Sequence, residues 1–273
     1  MPELPEIQTT IIGLQSLLNK EITNIKLYSR KLRYLIPKNI IKILKNTKIL
    51  KIHRIGKYII CELDNNYSLI FHFGMSGRFQ ISKIDNYLPI KHDHILIFFS
   101  SNKVLSYNDP RKFGFVDLIA TKEVMQKKYI SKLGLDPFDK KLTNSYLFEK
   151  IRFSSVPIKQ ILLDQRIIAG IGNIYASEIL YDAKISPFIQ GSCLDVDSLK
   201  RLIKSIRKIL KQAIKSGGTS IKNYISTDGT LGSFQSKFKV YNKENQKISG
   251  FKIKRVVQYG RSTFYCPDIQ AIN

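Results

Sequence analysis

DQRIIAGIGN, residues 164–173, ends one predicted helix and begins the next. Gly170 and Gly172 allow the backbone amides of this turn to approach a ligand closely, and Asn173 is a residue type that caps helices. The free N–H groups at the start of the second helix form an anion site, which a phosphate group would suit. The alternative is a tight helix–turn–helix corner without a ligand, and the glycine spacing alone does not separate the two.

Helical periodicity lies on both sides of this turn. Residues 142–152 and 157–163 are short helical candidates before it, and residues 174–181 follow it. The clearest helix spans residues 197–215, because apolar residues recur along one face and Gly217-Gly218 supplies a stop signal. The middle of the chain is therefore predicted to be helical.

The chain before residue 120 has mostly strand-like patterns. Strands are predicted at residues 57–63, 68–73, 95–99, 104–107 and 113–119. A helix with an apolar stripe precedes them at residues 5–20. This order predicts a β-rich first domain with one leading helix and two packed sheets. At the other end, residues 219–235 lack periodicity, and short strands are predicted at residues 238–241, 250–257 and 261–265.

The charge of the chain favours a nucleic acid as its partner. Lys and Arg number 45 against 21 Asp and Glu, a net charge of +24. Neutralising phosphates is the commonest use of such an excess, although an AT-rich genome would also raise the lysine content. Cys61, Cys193 and Cys266 are too few and too far apart for a disulfide scaffold, which fits a reducing cytoplasm. Neither a signal-peptide pattern nor a membrane-spanning apolar run is present, so we expect no membrane association.

The first seven residues, MPELPEI, can be interpreted in two ways: as the source of a nucleophilic amine, or as the start of a helix. A small residue such as Pro2 usually permits removal of Met1, which leaves a secondary amine at the start of the chain. Such an amine is neutral, and thus nucleophilic, to a much greater extent at pH 7 than a lysine side chain. Glu3 lies beside it as a proton carrier. The structural alternative is an ordinary capped helix start, since Pro5 and Glu6 suit a first helical turn.

A series of long motifs, spread in order over nearly the full length of the chain, is similar to the motifs of a known protein family. After MPELPEI come FHFGMSGRF (71–79), KHDH (91–94), YNDPRKFG (107–114), LGLDP (133–137), LLDQRIIAGIGNIYASEILYDAKISP (162–187), GGT (217–219), GSFQ (232–235), KVY (239–241) and YGRSTFYCP (259–267). The chain resembles the bacterial formamidopyrimidine-DNA glycosylases. Leu4 favours this branch over the related endonuclease VIII-type enzymes, which usually open with Pro-Glu-Gly-Pro.

The resemblance implies an α+β multidomain fold. Its parts are an N-terminal β-sandwich with a leading helix at 1–130, a helical helix-two-turn-helix domain at 131–220, and a lesion-reading loop with a finger-like β-hairpin at 221–273. It also implies excision of oxidised purines, such as 8-oxoguanine and formamidopyrimidines, from double-stranded DNA. Cleavage of the abasic site by β,δ-elimination follows.

Four residues match catalytic positions of that family. Pro2 matches the nucleophile that forms a Schiff base, and Glu3 matches a proton donor to the sugar. Lys57 matches the proton donor of β-elimination, and Arg261 that of δ-elimination. Without the resemblance, Lys57 in a strand would be read as part of a solvated face.

Further residues match DNA-contacting positions: His92, Arg111, Lys159, Asn173, Met75, Phe113 and Tyr241. Met75, Arg111 and Phe113 match a trio that enters the duplex where the damaged base has been extruded. By themselves, Met75 and Phe113 would be read as core residues. His92 and His94 could form a metal pair on one strand face, but no further ligand cluster accompanies them, so DNA contact is the better interpretation.

The family usually stabilises its last hairpin with zinc bound by two Cys-x-x-Cys pairs, and this chain departs from that pattern. Only Cys266 is present, with Ile269 at the following ligand position and no cysteine in residues 247–251. One thiolate cannot supply the four ligands of structural zinc. We therefore expect no metal and no other cofactor. Apolar packing is expected to replace zinc, through Phe251, Ile253, Val256 and Phe264.

Two other functions remain open at this stage. One is an endonuclease VIII-like preference for oxidised pyrimidines, and the other is a DNA-binding relative that has lost catalysis. The presence of Pro2, Glu3, Lys57 and Arg261 argues against the second. We expect a cytoplasmic monomer.

Overall fold

The computed structural model describes residues 2–219, 227 and 232–270. The chain divides into two compact units. The first comprises Met1–Ser131 with Ser216–Ser233, and the second Lys132–Lys215 with Phe234–Asn273. The division into three domains at residues 130 and 220 stays a prediction.

Helix α1 opens the first unit at Leu4–Leu14, shorter than the predicted 5–20, because the last turn tightens into a 3₁₀ helix at Gln15–Leu17. The strands described in this unit are β1 (Ile22–Leu27), β2 (Ile49–Ile55), β3 (Tyr58–Leu63), β4 (Tyr67–His72), β5 (Arg78–Lys83), β6 (Asp93–Phe99), β7 (Lys103–Asn108) and β8 (Phe115–Ala120). They form two antiparallel sheets, in the orders β1-β6-β7-β5 and β2-β3-β4-β8.

The core of the first unit lies between these sheets and α1. Ile97 and Leu105 from one sheet, Phe71 and Val116 from the other, and Ile11 from α1 belong to a single buried cluster. Strands β3 and β4 are also buried on their outer face, because a second cluster with Val124 covers it. Two packed sheets with a leading helix are the β-sandwich that the sequence predicted.

The helices of the second unit belong to the part of the chain predicted to be helical. The α-helices after α1 are α2 (Ile40–Leu44) and α3 (Lys128–Ser131) in the first unit, and α4 (Asn144–Ile151), α5 (Ile158–Leu163), α6 (Asn173–Asp182) and α7 (Val196–Lys215) in the second. Thr143 caps α4 by accepting a hydrogen bond from the Tyr146 N–H at 3.2 Å. The apolar stripe of α7 is buried from Leu199 to Ala213, as its periodicity predicted.

The turn between α5 and α6 is stabilised by the side chain of Gln165. Its amide nitrogen donates to the carbonyls of Leu163 (3.0 Å) and Ile171 (2.8 Å), and its amide oxygen accepts from the Gly170 N–H (2.8 Å). Gly170 has φ +104°, which favours glycine. One polar side chain therefore satisfies the backbone of the turn that the sequence singled out.

Two small hairpins follow near the end of the chain. Their strands are β9 (Lys247–Ile248), β10 (Phe251–Lys252), β11 (Lys254–Gln258) and β12 (Arg261–Tyr265). The strand predicted at 238–241 was wrong. The backbone N–H groups of Lys239, Val240 and Tyr241 donate to the Glu178 carboxylate at 2.8, 3.0 and 2.7 Å, so no strand partner receives them. In the described parts of the chain, no helix is long and apolar enough to cross a membrane.

Candidate DNA-repair site

The start of α1 holds the first two expected catalytic residues. Pro2 and Glu3 are both buried, and Glu3 is the N-cap of the helix. The Glu3 N–H donates to the Glu6 carboxylate at 2.9 Å, as part of a capping box between these two residues. A helix N-terminus disfavours positive charge nearby, which favours a neutral amine at Pro2 once Met1 is removed.

Glu6 also connects α1 to a distant part of the first unit. Its second carboxylate oxygen accepts from the Thr219 N–H at 2.8 Å and from the Thr219 hydroxyl at 2.9 Å. Gly218 has φ +74°, and a Cβ there would lie only 3.0 Å from this oxygen. Thr219 begins the expected lesion-reading loop at 219–235, most of which lies outside the described residues. From sequence, Glu6 was assigned only to the first helical turn, because its partner is 213 residues away.

Lys57 lies in the turn between β2 and β3, directly after Gly56, which has φ +57°. Only 8% of Lys57 is exposed, so it is not part of a solvated face. Burial, together with the positive charges of Lys57 and Arg33, lowers the pKa of His72 to about 4. His72 is therefore neutral at pH 7, and its Nδ1 accepts a hydrogen bond from the Gly74 N–H at 3.1 Å.

Two neighbouring turns bring Met75, Arg111 and Phe113 together. A Cβ on Gly74 would lie 2.4 Å from the Phe113 carbonyl carbon, so the backbones of the two turns touch. Met75 is 42% and Phe113 46% exposed, and the Arg111 guanidinium lies 4.6 Å from the centre of the Phe113 ring. Two large apolar side chains thus project beside a cation, an arrangement suited to entering a DNA duplex.

His92 and His94 have different environments. His92 has φ +75° and is partly buried, whereas His94 is buried and its Nε2 lies 2.9 Å from the Asp109 carbonyl oxygen. Within the described ranges, no group of three or more His, Cys, Asp or Glu side chains could hold a metal ion. His94 is thus bonded within the protein, and the DNA contact expected of His92 stays a prediction.

The second unit holds the remaining expected site residues around β12. The buried Lys159 ammonium donates to the Ser262 carbonyl at 3.1 Å and to the Thr263 hydroxyl at 2.7 Å. The Asn173 amide donates to the same Ser262 carbonyl at 2.9 Å. Both side chains therefore fix the residues directly after Arg261, which is exposed at the start of β12.

Asn173 does not cap α6, contrary to the prediction. Gly172 occupies the N-cap position, because the Asn173 amide is directed to the hairpin instead. Tyr241 lies on the other side of β12, where its ring centre is 5.0 Å from that of Phe264. The expected DNA contacts of Lys159, Asn173 and Tyr241 stay predictions.

The residues around Cys266 do not fit a zinc site. Cys266 is fully buried, its backbone N–H donates to the Gln270 amide oxygen at 2.9 Å, and the Gln270 amide nitrogen donates to the Ile185 carbonyl at 2.9 Å. Val240, Ile253 and Phe264 form a small core here. Phe251 and Val256 were wrongly included in the predicted core: Phe251 is 46% exposed and Val256 is partly exposed, because they lie on the outer side of the hairpins.

Comparisons with known proteins agree with these features. Residues 1–116 match the formamidopyrimidine-DNA glycosylase N-terminal domain, and residues 133–224 match the formamidopyrimidine-DNA glycosylase H2TH domain. A formamidopyrimidine-DNA glycosylase of Zymomonas mobilis is 42% identical over 272 residues, which cover 99% of this chain and 100% of the relative. One from Rickettsia africae is 40% identical over 273 residues, or 99% of each protein.

Solved structures agree over the same length. The Lactococcus lactis enzyme in complex with a Fapy-dG containing DNA has a TM-score of 0.92, with 34% identity over 99% of this chain and 100% of that one. The same enzyme with an abasic site containing DNA has a TM-score of 0.91, at the same identity and coverage. The chain belongs to the formamidopyrimidine-DNA glycosylase family, whose members are DNA glycosylases that repair oxidised bases.

Proposed function

We propose that this chain excises oxidised purines from duplex DNA and then cleaves the abasic strand, with the Pro2 amine as its nucleophile. The observation that carries this proposal is the burial of Pro2 and Glu3 at the start of α1, in a chain similar to DNA glycosylases over its full length. Removal of Met1 is required, because an amide nitrogen is not nucleophilic.

In the first step, the neutral Pro2 nitrogen attacks C1′ of the damaged nucleotide. The bond between C1′ and the base breaks, and the base leaves with its electron pair and takes up a proton. The sugar ring then opens as O4′ leaves C1′ and takes a proton from Glu3. The amine loses its own proton, so the product is an iminium ion. Because its nitrogen carries no hydrogen, this Schiff base stays cationic.

That cation is the electron sink for strand cleavage. Loss of a proton from C2′ expels the 3′ phosphate, and loss of a proton from C4′ then expels the 5′ phosphate. We assign Lys57 to the first elimination, because it is a buried cation in the same unit as Pro2. We assign Arg261 to the second, because it is an exposed cation held by its neighbours' contacts with Lys159 and Asn173.

Double-stranded DNA containing an oxidised base or an abasic site is the proposed partner. We assign contacts with it to His92, Arg111, Met75 and Phe113 in the first unit. We propose that the chain acts as a monomer in the cytoplasm, with a hairpin that folds without zinc and with no other cofactor.

Incision of matched duplexes tests the substrate class. One duplex carries 8-oxoguanine opposite cytosine and the other thymine glycol opposite adenine, and both are measured under single-turnover conditions. We expect faster incision of the 8-oxoguanine duplex, with phosphate on both ends of a one-nucleotide gap. The second duplex is needed because a complex of the Lactococcus lactis enzyme with an oxidised pyrimidine containing DNA is also known.

The two rival functions give different results in the same experiment. Faster incision at thymine glycol would favour an endonuclease VIII-like preference. Tight binding of both duplexes without incision of either would indicate a DNA-binding relative that has lost catalysis.

A further inference from the structure

Asp109 is a fully buried carboxylate that the proposed chemistry does not use. One of its oxygens accepts from the Ser76 hydroxyl at 2.5 Å, and the other accepts from the Gly114 N–H at 2.8 Å. Burying a carboxylate costs free energy unless hydrogen bonds compensate for the lost contact with water, so the fold requires these two hydrogen bonds. They join the turn that carries Met75 to the turn that carries Phe113.

The main chain of Asp109 makes three further contacts. Its N–H donates to the His92 carbonyl at 3.1 Å. Its carbonyl accepts from the Lys112 N–H at 3.2 Å and lies 2.9 Å from Nε2 of His94, which must be the donor to a carbonyl oxygen. The turn before β6, which carries His92, is thereby joined to the same residue.

Ser76 extends this network to Arg111. Its oxygen accepts from the Arg111 N–H at 3.1 Å while its hydroxyl hydrogen is donated to Asp109. The network therefore reaches all four residues that are assigned to DNA contact in the first unit. The backbones of His92 and Arg111 are hydrogen-bonded to it. Met75 and Phe113 are the neighbours of Ser76 and Gly114, which are also bonded to it. None of these bonds uses the exposed side chains themselves, which leaves those side chains available for DNA.

The two turns joined by Asp109 are packed too closely for their backbones to adopt another arrangement. A Cβ on Gly114 would lie 1.9 Å from the Tyr107 hydroxyl oxygen and 3.1 Å from the Asp109 carboxylate. Gly74 is similarly confined against the Phe113 backbone. A change in the Asp109 contacts must therefore move the backbone of both turns.

We propose that Asp109 is a positioning residue for extrusion of the damaged base. It holds Met75, Arg111 and Phe113 in the geometry in which they enter the duplex. This inference rests on the proposed function, because it concerns how the proposed DNA contacts are placed. Three side chains that replace one extruded base must enter together, and displacement of a positioning group by about 1 Å can lower a rate by about two orders of magnitude.

Asp109→Asn is the direct test. The new NH₂ group faces an N–H or O–H donor, so the amide cannot accept from both Ser76 and Gly114. Asp117→Asn is the matched control: Asp117 is a partly buried carboxylate of the same unit that accepts from the Tyr129 hydroxyl at 2.7 Å and pairs with Lys127 at 3.0 Å. None of its contacts involves residues 74–76 or 109–114.

Each variant is measured for excision of 8-oxoguanine from a duplex and for cleavage of an abasic site in a single strand. The single strand has no opposite base and no stack to fill, so its cleavage does not need the three inserted side chains. We expect Asp109→Asn to slow duplex excision about tenfold or more, with single-strand cleavage within about twofold of the unmodified protein. Asp117→Asn should leave both rates within about twofold.

A fluorescent 2-aminopurine opposite the lesion reports extrusion directly. We expect its rise on binding to be reduced by Asp109→Asn and retained by Asp117→Asn. If Asp109→Asn does not fold, Ser76→Ala replaces it, since it removes the one hydroxyl that donates to Asp109 and accepts from the Arg111 N–H and leaves the Gly114 contact of Asp109 in place. The same pattern with a smaller loss is expected.

Equal losses on both substrates, or unchanged duplex excision and fluorescence, would overturn the positioning role. Failure of the unmodified protein to act on either substrate would instead overturn the proposed function. The two failures are thus distinguished by the unmodified protein alone.

Discussion

Glu3 and Glu6 together stabilise the start of α1, where the proposed nucleophile Pro2 lies. They cap α1 together, and Glu6 also accepts two hydrogen bonds from Thr219. The capped start of the helix is what places Pro2 in a buried, electropositive position. A capped helix start is therefore compatible with the proposed catalytic amine, and the two interpretations of these residues do not exclude each other.

His72 gives a prediction at the scale of one residue. Its pKa is lowered from 6.5 to about 4, so the folded protein favours the neutral ring and the unfolded chain binds a proton first. This contribution to the free energy of unfolding is complete above about pH 6.5 and is lost as the pH falls towards 4, by about 3 kcal/mol at most. Protonation would also remove the acceptor for the Gly74 N–H, beside Met75.

Urea unfolding at pH 7, 5.5 and 4.5 measures this effect. His72→Gln should lower stability at pH 7 and flatten the decline between pH 7 and 4.5, because glutamine does not titrate. Parallel declines in the unmodified protein and the variant would show that another group is responsible.

At the scale of secondary structure, local patterns predicted the long elements well. The periodicity of α7 and the paired apolar runs of β3 and β4 are properties of consecutive residues, so they can be recognised in the sequence. The error at 238–241 has the opposite cause. A carboxylate 61 residues away, Glu178, binds the backbone N–H groups of Lys239, Val240 and Tyr241, and no local pattern reports such a partner. Asp109 was missed for the same reason.

Glu178 provides the prediction at this scale. Burial raises the pKa of Glu178, although the three N–H groups that donate to its carboxylate oppose this shift. In Glu178→Gln, the amide retains one acceptor oxygen and leaves at least one buried donor without a partner. We expect a loss of about 1–3 kcal/mol in the free energy of unfolding by urea.

Glu149→Gln is the control, because Glu149 is exposed and forms a surface ion pair with Arg152 at 3.1 Å; its effect should be within about 0.5 kcal/mol. The same samples test the zinc-free hairpin. Metal analysis should find no zinc, and a chelator should not change the midpoint. One bound zinc per chain, or unfolding by the chelator, would contradict a hairpin stabilised by Glu178 and apolar packing.

At the scale of the whole molecule, the net charge of +24 predicts strong dependence of DNA binding on salt. Each phosphate that is neutralised releases counterions, so the logarithm of the binding constant falls linearly with the logarithm of salt concentration. Arg111→Ala should reduce the magnitude of this slope, by about 1 at most, because one cation proposed to contact DNA is removed. Lys42→Ala, an exposed cation on α2, should leave it unchanged. An unchanged slope in Arg111→Ala would contradict a contact between the Arg111 charge and DNA.

Covalent attachment of the Pro2 amine to DNA is the step on which the whole proposed reaction depends. Borohydride reduces an iminium to a stable amine, so the protein is incubated with an 8-oxoguanine duplex and borohydride, and the adduct is mapped by mass spectrometry. We predict one adduct per chain at Pro2, with Met1 absent, and a much smaller yield of adduct in Pro2→Gly, because the Schiff base of a primary amine can lose its proton and its charge. An adduct located on Lys57, or no adduct under conditions in which the duplex is bound, would contradict catalysis by the Pro2 amine.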